Sequence, residues 1–392
     1  MGVRPIAEEH WEPVVDLESH NAQVRALEAA YAAGTHERVP ITLAFDEQFI
    51  LPRFGCSFAA YYTDVTRQIE VQLRSQNWIR HRVLHDGEMG LPDAWTLCPP
   101  SWMDENELWG AHIVLQEDDY AWGQPLPLGK SALLRHLQGR GVEEGIVSGT
   151  LFRQHREMRR LAEGMEYLGR PVRVVELPVA STHGLVTKAA ELRGVETLCL
   201  DLHDDPSFAG ELLATLARLT VERLRCWRRL CGLSEVLPFE HGWGLADDSL
   251  VLLSRADYET HVLPHHRWLY DTMTQGARHI HLCGRVQHLF RTLREELGIT
   301  VFDGPGTQVD IPRMIDDTGE DVVIQAQVSH AFLGGPEPVL RQAVSQVLDD
   351  RAKQRVKMRL LGYATRGAPE ANLRAFYEAG LECGSLRRED PS

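Results

Sequence analysis

The chain has 392 residues, with 41 Lys+Arg against 56 Asp+Glu, and 41 − 56 gives a formal net charge of −15. A composition 43% hydrophobic and 25% charged is that of an ordinary globular protein, which excludes global disorder and fibrous structure. The acidic balance argues against nucleic-acid binding, which needs a Lys/Arg surplus on some face, and no run of about 18 apolar residues is present to span a membrane.

The opening stretch, MGVRPIAEEHWEPVVDLESH, has neither the apolar core of a signal peptide nor an Arg/Ser-rich transit pattern, so a cytoplasmic protein is expected. Leu17 to Ala33 reads as a helix closed by Gly34, within an N-terminal helical extension over residues 1–36. Arg38 to Phe45, RVPITLAF, is a short apolar run opened by a proline and predicts a first buried strand. Further strands are predicted at Ala111–Gln116, Val172–Leu177, Thr197–Leu202, His279–Cys283, Ile299–Asp303, Val322–Val328 and Met358–Ala364. Helical patterns lie between them, including Phe208 to Leu230 and Asp257 to Thr274.

Buried strands alternating with helices argue for parallel βαβ units. With no domain-joining linker and no repeat, the spacing suits one α/β domain: a (β/α)8 TIM barrel over residues 37–384, with extra hairpins near residues 47–130. The runner-up, a doubly wound sheet, usually shows a glycine-rich phosphate loop after its first strand. Here Phe45 is followed by DEQFILPRFG, which has none. The seven cysteines (Cys56, Cys98, Cys199, Cys226, Cys231, Cys283 and Cys383) are odd in number, scattered and without a CxxC, and read as free thiols.

The most informative segment is His279-Ile280-His281-Leu282-Cys283-Gly284. Alternation along a strand puts His281 and Cys283 on one face, about 6.6 Å apart, where an imidazole nitrogen and a thiolate can meet at one metal. His279 shares the face but lies about 13 Å from Cys283, too far for a third ligand, and is expected one layer deeper. Gly284 would end the strand at the carboxyl-end rim, where barrel enzymes place their chemistry. On its own, H-x-C reads first as a buried histidine and cysteine.

Several segments together resemble the uroporphyrinogen decarboxylase superfamily, which includes zinc-dependent methylcobamide:thiol methyltransferases. HLCG followed by a helix and ITVFDG carries the resemblance, as do RVPITLAFDEQFILPRFG, the stretch Ala180–Pro206, Gly244–Asp271 with its D-D…L-S…Y…V-L-P pattern, GGPEPVLRQAV and GAPEANLRAFYEAG. It covers roughly residues 20–380.

In the methyltransferase branch, the resemblance implies zinc held by H-x-C and a later cysteine, activating a thiol for methyl transfer. His281 and Cys283 match the first two ligands. The later cysteine is missing, because that region reads LLGYATRGAPEAN and Cys383 comes after the last helix. Asp303 and His330 are the candidate replacements by barrel order. In the decarboxylase branch, the N-terminal R-Q-A-G-R-Y is replaced by FDEQFILPR with only Arg53 nearby, and Asp86 in VLHDGEMG is a loose match for the branch's aspartate. The acidic chain gives no help in holding a porphyrin with its many carboxylates, so the methyltransferase branch is the nearer one.

Three acidic pairs or runs remain. Asp204-Asp205-Pro206 reads as a helix cap followed by proline in the first turn. Glu117-Asp118-Asp119 reads equally as rim or solvated loop. Asp247-Asp248 matches the family's D-D after a barrel strand and is expected to orient substrate or act as general acid–base, with His241 as a nearby candidate. The run His261 to His266 reads as structural. Asp201-Leu202-His203 begins like the cobalamin motif D-x-H-x-x-G, but Pro206 stands in place of the glycine. A corrinoid would therefore have to arrive on a separate carrier protein.

The leading expectation is an enzyme that moves a methyl group between a small molecule and a corrinoid, at a zinc site of His281 and Cys283 completed by Asp303 or His330. The alternatives are a metal-free lyase or decarboxylase acting on a small acid through Asp86 or Asp248, and a noncatalytic binding barrel.

Overall fold

The computed structural model describes residues 6–386 apart from Trp102, Ala180 and Ser181, so the start of the Ala180–Pro206 stretch lies outside the described residues. Its strands are β1 (Ile41–Phe45), β2 (Trp95–Leu97), β3 (His112–Val114), β4 (Trp122–Gln124), β5 (Glu166–Tyr167), β6 (Arg170–Val174), β7 (Trp243–Ala246), β8 (Arg278–His281), β9 (Ile299–Gly306), β10 (Val323–Val328) and β11 (Lys357–Ala364). Six of them form one parallel sheet in the order β1-β11-β10-β9-β8-β7. An isolated parallel bridge, His183 to Ala246, continues the sheet beyond β7.

Side-chain alternation sorts this sheet into two faces. Along β11, Met358, Leu360 and Ala364 are fully buried, and the Phe376 ring lies against Gly362, so this face packs on the helix Glu370–Cys383. Each large aliphatic side chain so buried contributes roughly 1.5–3 kcal/mol. The other face is polar: register pairs His281 with Asp303, Asp303 with Gln325, and Gln325 with Arg359, one row across four strands. At the end of that row, Arg359 holds Glu28 of the helix Leu17–Ala33 through two contacts of 2.6 and 2.7 Å. That helix runs from Leu17 to Ala33 as the sequence predicts, capped by Gly34 at φ 73°.

The sheet is a curled parallel half-barrel. Closure into eight strands is not seen among the described residues, and three expected barrel strands differ. Thr197–Leu202 lies inside the helix Val195–Asp204. The reason is its period: Leu198, Asp201 and Leu202 are buried while Leu200 is 55% exposed, which is helical spacing rather than alternation. Val172–Leu177 contributes β6, which joins β2 and β5 in a separate three-stranded sheet. That sheet has its own core of Ile69, Leu73, Trp95, Leu97 and Met158. Ala111–Gln116 contributes β3, paired with β4 in a hairpin.

The strand β7 has no range in the sequence reading, because WGLA is short and carries a glycine. Close approach explains the glycine: a Cβ on Gly244 would meet His279 Cβ and its carbonyl oxygen at 2.6 Å. Asp205 caps the helix Pro206–Leu230 by accepting from Phe208 N, with Pro206 in the first turn, as the sequence predicts. All seven cysteines are free. No helix among the described residues is long and apolar enough to cross a membrane.

Candidate metal centre

The carboxyl ends of β7, β8 and β9 come together through backbone hydrogen bonds. Asp247 N donates to His281 O at 3.1 Å, and Leu282 N donates to Asp303 O at 2.9 Å. β8 ends at His281, two residues earlier than predicted, so Cys283 stands just beyond the strand. There the backbone N–H of Cys283 donates to Asp248 Oδ1 at 2.8 Å, with Sγ 3.1 Å from the same oxygen. Gly284 turns the chain away at φ 97°, a left-handed conformation that favours glycine.

This arrangement brings one donor atom each from Asp248, His281 and Cys283 within 4.8 Å of one another. His281 Nε2 lies 3.7 Å from Asp248 Oδ1, while Nδ1 lies 2.7 Å from Asp303 Oδ2. Asp303 therefore occupies the far side of the ring and leaves Nε2 turned toward Asp248. Burial works against a charged imidazolium here. Hydrogen bonds to Asp303 and Cys283, with the two carboxylate charges, more than offset it, and the histidine is pushed up to about 10.

Nitrogen, sulfur and oxygen donors at this separation fit zinc, which takes three protein ligands and keeps a fourth position open in catalytic sites. The carboxylate behind the histidine matches the usual outer-shell support of a metal-bound imidazole. The cluster is reachable, since Cys283 is exposed and the Asp248 side chain is 46% exposed.

The residues singled out from sequence take different positions around this cluster. Asp248, expected to handle substrate, stands in the third donor position. Asp303, expected to be a ligand, sits behind His281. His330 opens the helix His330–Leu333 after β10 and is outside the donor cluster. It lines a separate rim pocket of about 610 Å³ with Asp46, Glu47, Tyr61, Tyr120 and Tyr363.

Asp247 does not face a pocket. It is fully buried, and its oxygens accept from Val186 N at 3.2 Å, Thr187 N at 2.8 Å and Thr187 Oγ1 at 2.9 Å. The remaining partner is His266, whose Nε2 lies 3.1 Å from Asp247 Oδ2 and whose Nδ1 lies 3.3 Å from the Tyr258 hydroxyl. The sequence reading of the His261 to His266 run as structural fits this burial but missed the link to the site. Tyr258 and His266 stand eight residues apart, within one stripe of a helix, and that was the available signal.

Asp86 lies beside the amino-terminal end of β1, away from the rim. Its carboxylate takes Arg38 at 2.5 and 2.7 Å, Ile41 N at 2.7 Å and the Tyr377 hydroxyl at 3.1 Å. His241 likewise precedes the amino-terminal end of β7 and stacks on Phe239 with ring centroids 4.9 Å apart. It lines a pocket of about 340 Å³ that also contains His279, the histidine expected one layer below His281.

Comparison with known proteins gives a family. A family model described as uroporphyrinogen decarboxylase (URO-D) matches residues 179–380. The chain is 26% identical over 186 residues to a uroporphyrinogen decarboxylase of Carboxydothermus hydrogenoformans, covering 47% of this chain and 50% of that one. It is 25% identical over 150 residues to the enzyme of the same name from Pelobacter propionicus, covering 38% and 41%. The chain thus spans about half the length or less of the curated relatives it matches. Among solved structures, a methyltransferase from Methanosarcina mazei superposes with a TM-score of 0.55 at 14% identity, covering 92% of this chain and 98% of that one. That likeness is one of fold.

Proposed function

The chain belongs to the uroporphyrinogen decarboxylase family, and on that premise we propose that it is a methyltransferase, moving a methyl group between a small molecule and a corrinoid brought by a partner protein. The observation that carries this reading is the Asp248, His281 and Cys283 cluster with Asp303 behind the imidazole. The Methanosarcina fold neighbour, itself named a methyltransferase, is consistent with it.

Bound zinc would supply Lewis acidity, lowering the pKa of a thiol or polarising a methyl donor. The chain's own residues do the positioning. Asp303 holds the Nδ1 side of His281 and so turns Nε2 toward Asp248. Asp248 is fixed by the Cys283 amide, and the buried Asp247 pins the adjoining backbone to the start of the helix Leu185–Arg193. A half-exposed rim leaves access for a carrier-borne group.

A porphyrin decarboxylase fits these residues poorly. Arg53, the arginine after the first strand, pairs with Glu370 at 2.6 Å and lies 4.2 Å over the Trp78 ring, so it is already engaged. Asp86 is ion-paired at the other end of the strand.

Elemental analysis of purified protein tests the proposal. Close to one zinc per chain is expected, lost in His281→Ala, Cys283→Ser and Asp248→Ala. Incubation with a methylated corrinoid and an acceptor should change the corrinoid absorbance. Fully active metal-free wild-type protein, or corrinoid-independent release of carbon dioxide from a carboxylated substrate, would overturn it.

A further inference from the structure

We propose that the rim pocket beside β1, β10 and β11 binds an organic cation, the alkylammonium end of the small-molecule substrate. This rests on the methyltransferase reading only in taking the rim as the substrate face; the binding itself follows from the pocket.

Its acidic groups are Asp46 and Glu47, at the carboxyl end of β1. Asp46 is only 7% exposed; it accepts from Phe49 N in capping the helix and is also hydrogen-bonded with the Tyr120 hydroxyl. Glu47 is held by Tyr120, and burial pushes its pKa up, with the neighbouring Asp46 charge adding to the effect. No lysine or arginine forms an ion pair with either carboxylate among the described residues. Both carboxylates are hydrogen-bonded, but no lysine or arginine neutralises them, so a cation entering beside them and His330 meets net negative charge.

The same pocket is lined by the Tyr61, Tyr120 and Tyr363 side chains, whose rings carry negative faces. Aromatic rings with carboxylates recognise methylated ammonium groups, which are bulky, weakly hydrated and unable to donate many hydrogen bonds. A bare metal ion is the less suitable occupant. It would need converging donors, and among the described residues the group close enough to hold a metal is Asp248, His281 and Cys283 instead. The sheet order places the pocket's strands next to β9 and β8, so one extended molecule can have its cationic end here and its reacting end toward the donor cluster.

Titration calorimetry with choline on the full chain tests this, using dimethylbutanol, its neutral isostere, as the control. Choline should bind saturably, and the isostere about tenfold or more weaker, the equivalent of one lost charge contact. Glu47→Gln and Tyr363→Leu should each weaken choline by about tenfold while zinc content stays at the wild-type level. Choline binding should also persist in His281→Ala, so that loss of the metal reading and loss of the cation reading are told apart. Absence of saturable choline binding by the wild type at millimolar concentration, or equal affinity for the isostere, overturns the proposal, whether or not either pocket variant folds.

Discussion

His281 Nδ1 lies 2.7 Å from Asp303 Oδ2, across the register that pairs β8 with β9. The contact uses the ring nitrogen opposite the one that faces Asp248, so under the proposed zinc reading Asp303 would act through the histidine. Asp303→Ala should therefore keep zinc stoichiometry at saturation but weaken affinity about 10- to 100-fold, the usual cost of losing such a partner. Competition against a chelator of known strength measures it. Unchanged affinity would show that Asp303 does not orient the ring, and complete loss of zinc would make it a ligand.

Asp247 and Asp248 are neighbours with opposite expected phenotypes. Asp248→Asn removes a half-exposed carboxylate, so folding stability should stay within roughly 0.5 kcal/mol while zinc retention falls. Asp247→Ala strands two buried backbone N–H groups and His266, and should cost about 3 kcal/mol or more. Urea unfolding of metal-free protein ranks the two. The reverse ranking would contradict the assignment of Asp247 as the buried anchor.

Gly184 gives a steric version of the same test. Its φ of −69° suits any residue, so backbone strain is not the issue. A Cβ there would stand 2.1 Å from Asp247 Cβ and Cγ, in a side chain tied on every side. Gly184→Ala should destabilise by about 3 kcal/mol, at the upper end of overpacking costs. Gly210→Ala, in the helix Pro206–Leu230 with nothing within 4 Å, should instead gain about 0.5–1 kcal/mol. Equal effects in thermal melts would refute this account.

What could be read from sequence follows the range of the interactions involved. The helix Leu17–Ala33 with its Gly34 cap, the Asp205 cap and strands β1, β8, β9, β10 and β11 depend on local pattern and turn chemistry, and they were legible. TLCLDL misled because an apolar run of six fits a strand or a buried helix until the exposure of Leu200 is known. In the site, H-x-C pointed to His281 and Cys283. Sequence offered no way to know that Asp248 would reach Cys283 across from β7, or that Asp303 would meet His281 from behind, because both depend on strand register. Asp247 and Asp248 look alike in sequence. Only the turn after β7 sends one inward and the other to the rim.

The buried ionic cluster behind the site carries a pH signature. Glu105 lies 2.9 Å from Lys188 and 3.0 Å from Arg223, and accepts from Thr182 Oγ1 at 2.5 Å. Thr182 O in turn accepts from Ala246 N, so the cluster braces the end of β7 just before the aspartate pair. Burial alone would raise the Glu105 pKa, but the Lys188 and Arg223 charges outweigh it and hold the carboxyl down at about 2, against an ordinary 4.5. A folded value below the unfolded one means the stabilisation is fully present above pH 4.5 and is lost as pH falls toward 2. Asp104 acts in the opposite sense, because burial raises its pKa despite Arg223. Wild type is therefore compared with Glu105→Gln, where Asp104 remains and differs only by losing the Glu105 charge that helps raise its pKa. At neutral pH the variant leaves Lys188 and Arg223 short of a partner and should be about 3–5 kcal/mol less stable. That gap should narrow steadily between pH 4.5 and about 2, because the unfolded wild-type carboxyl takes up a proton there that the folded one still resists. Urea unfolding at a series of acid pH values follows it directly, and a gap that stayed constant or widened on acidification would show that Glu105 is not held as an anion by its two cations.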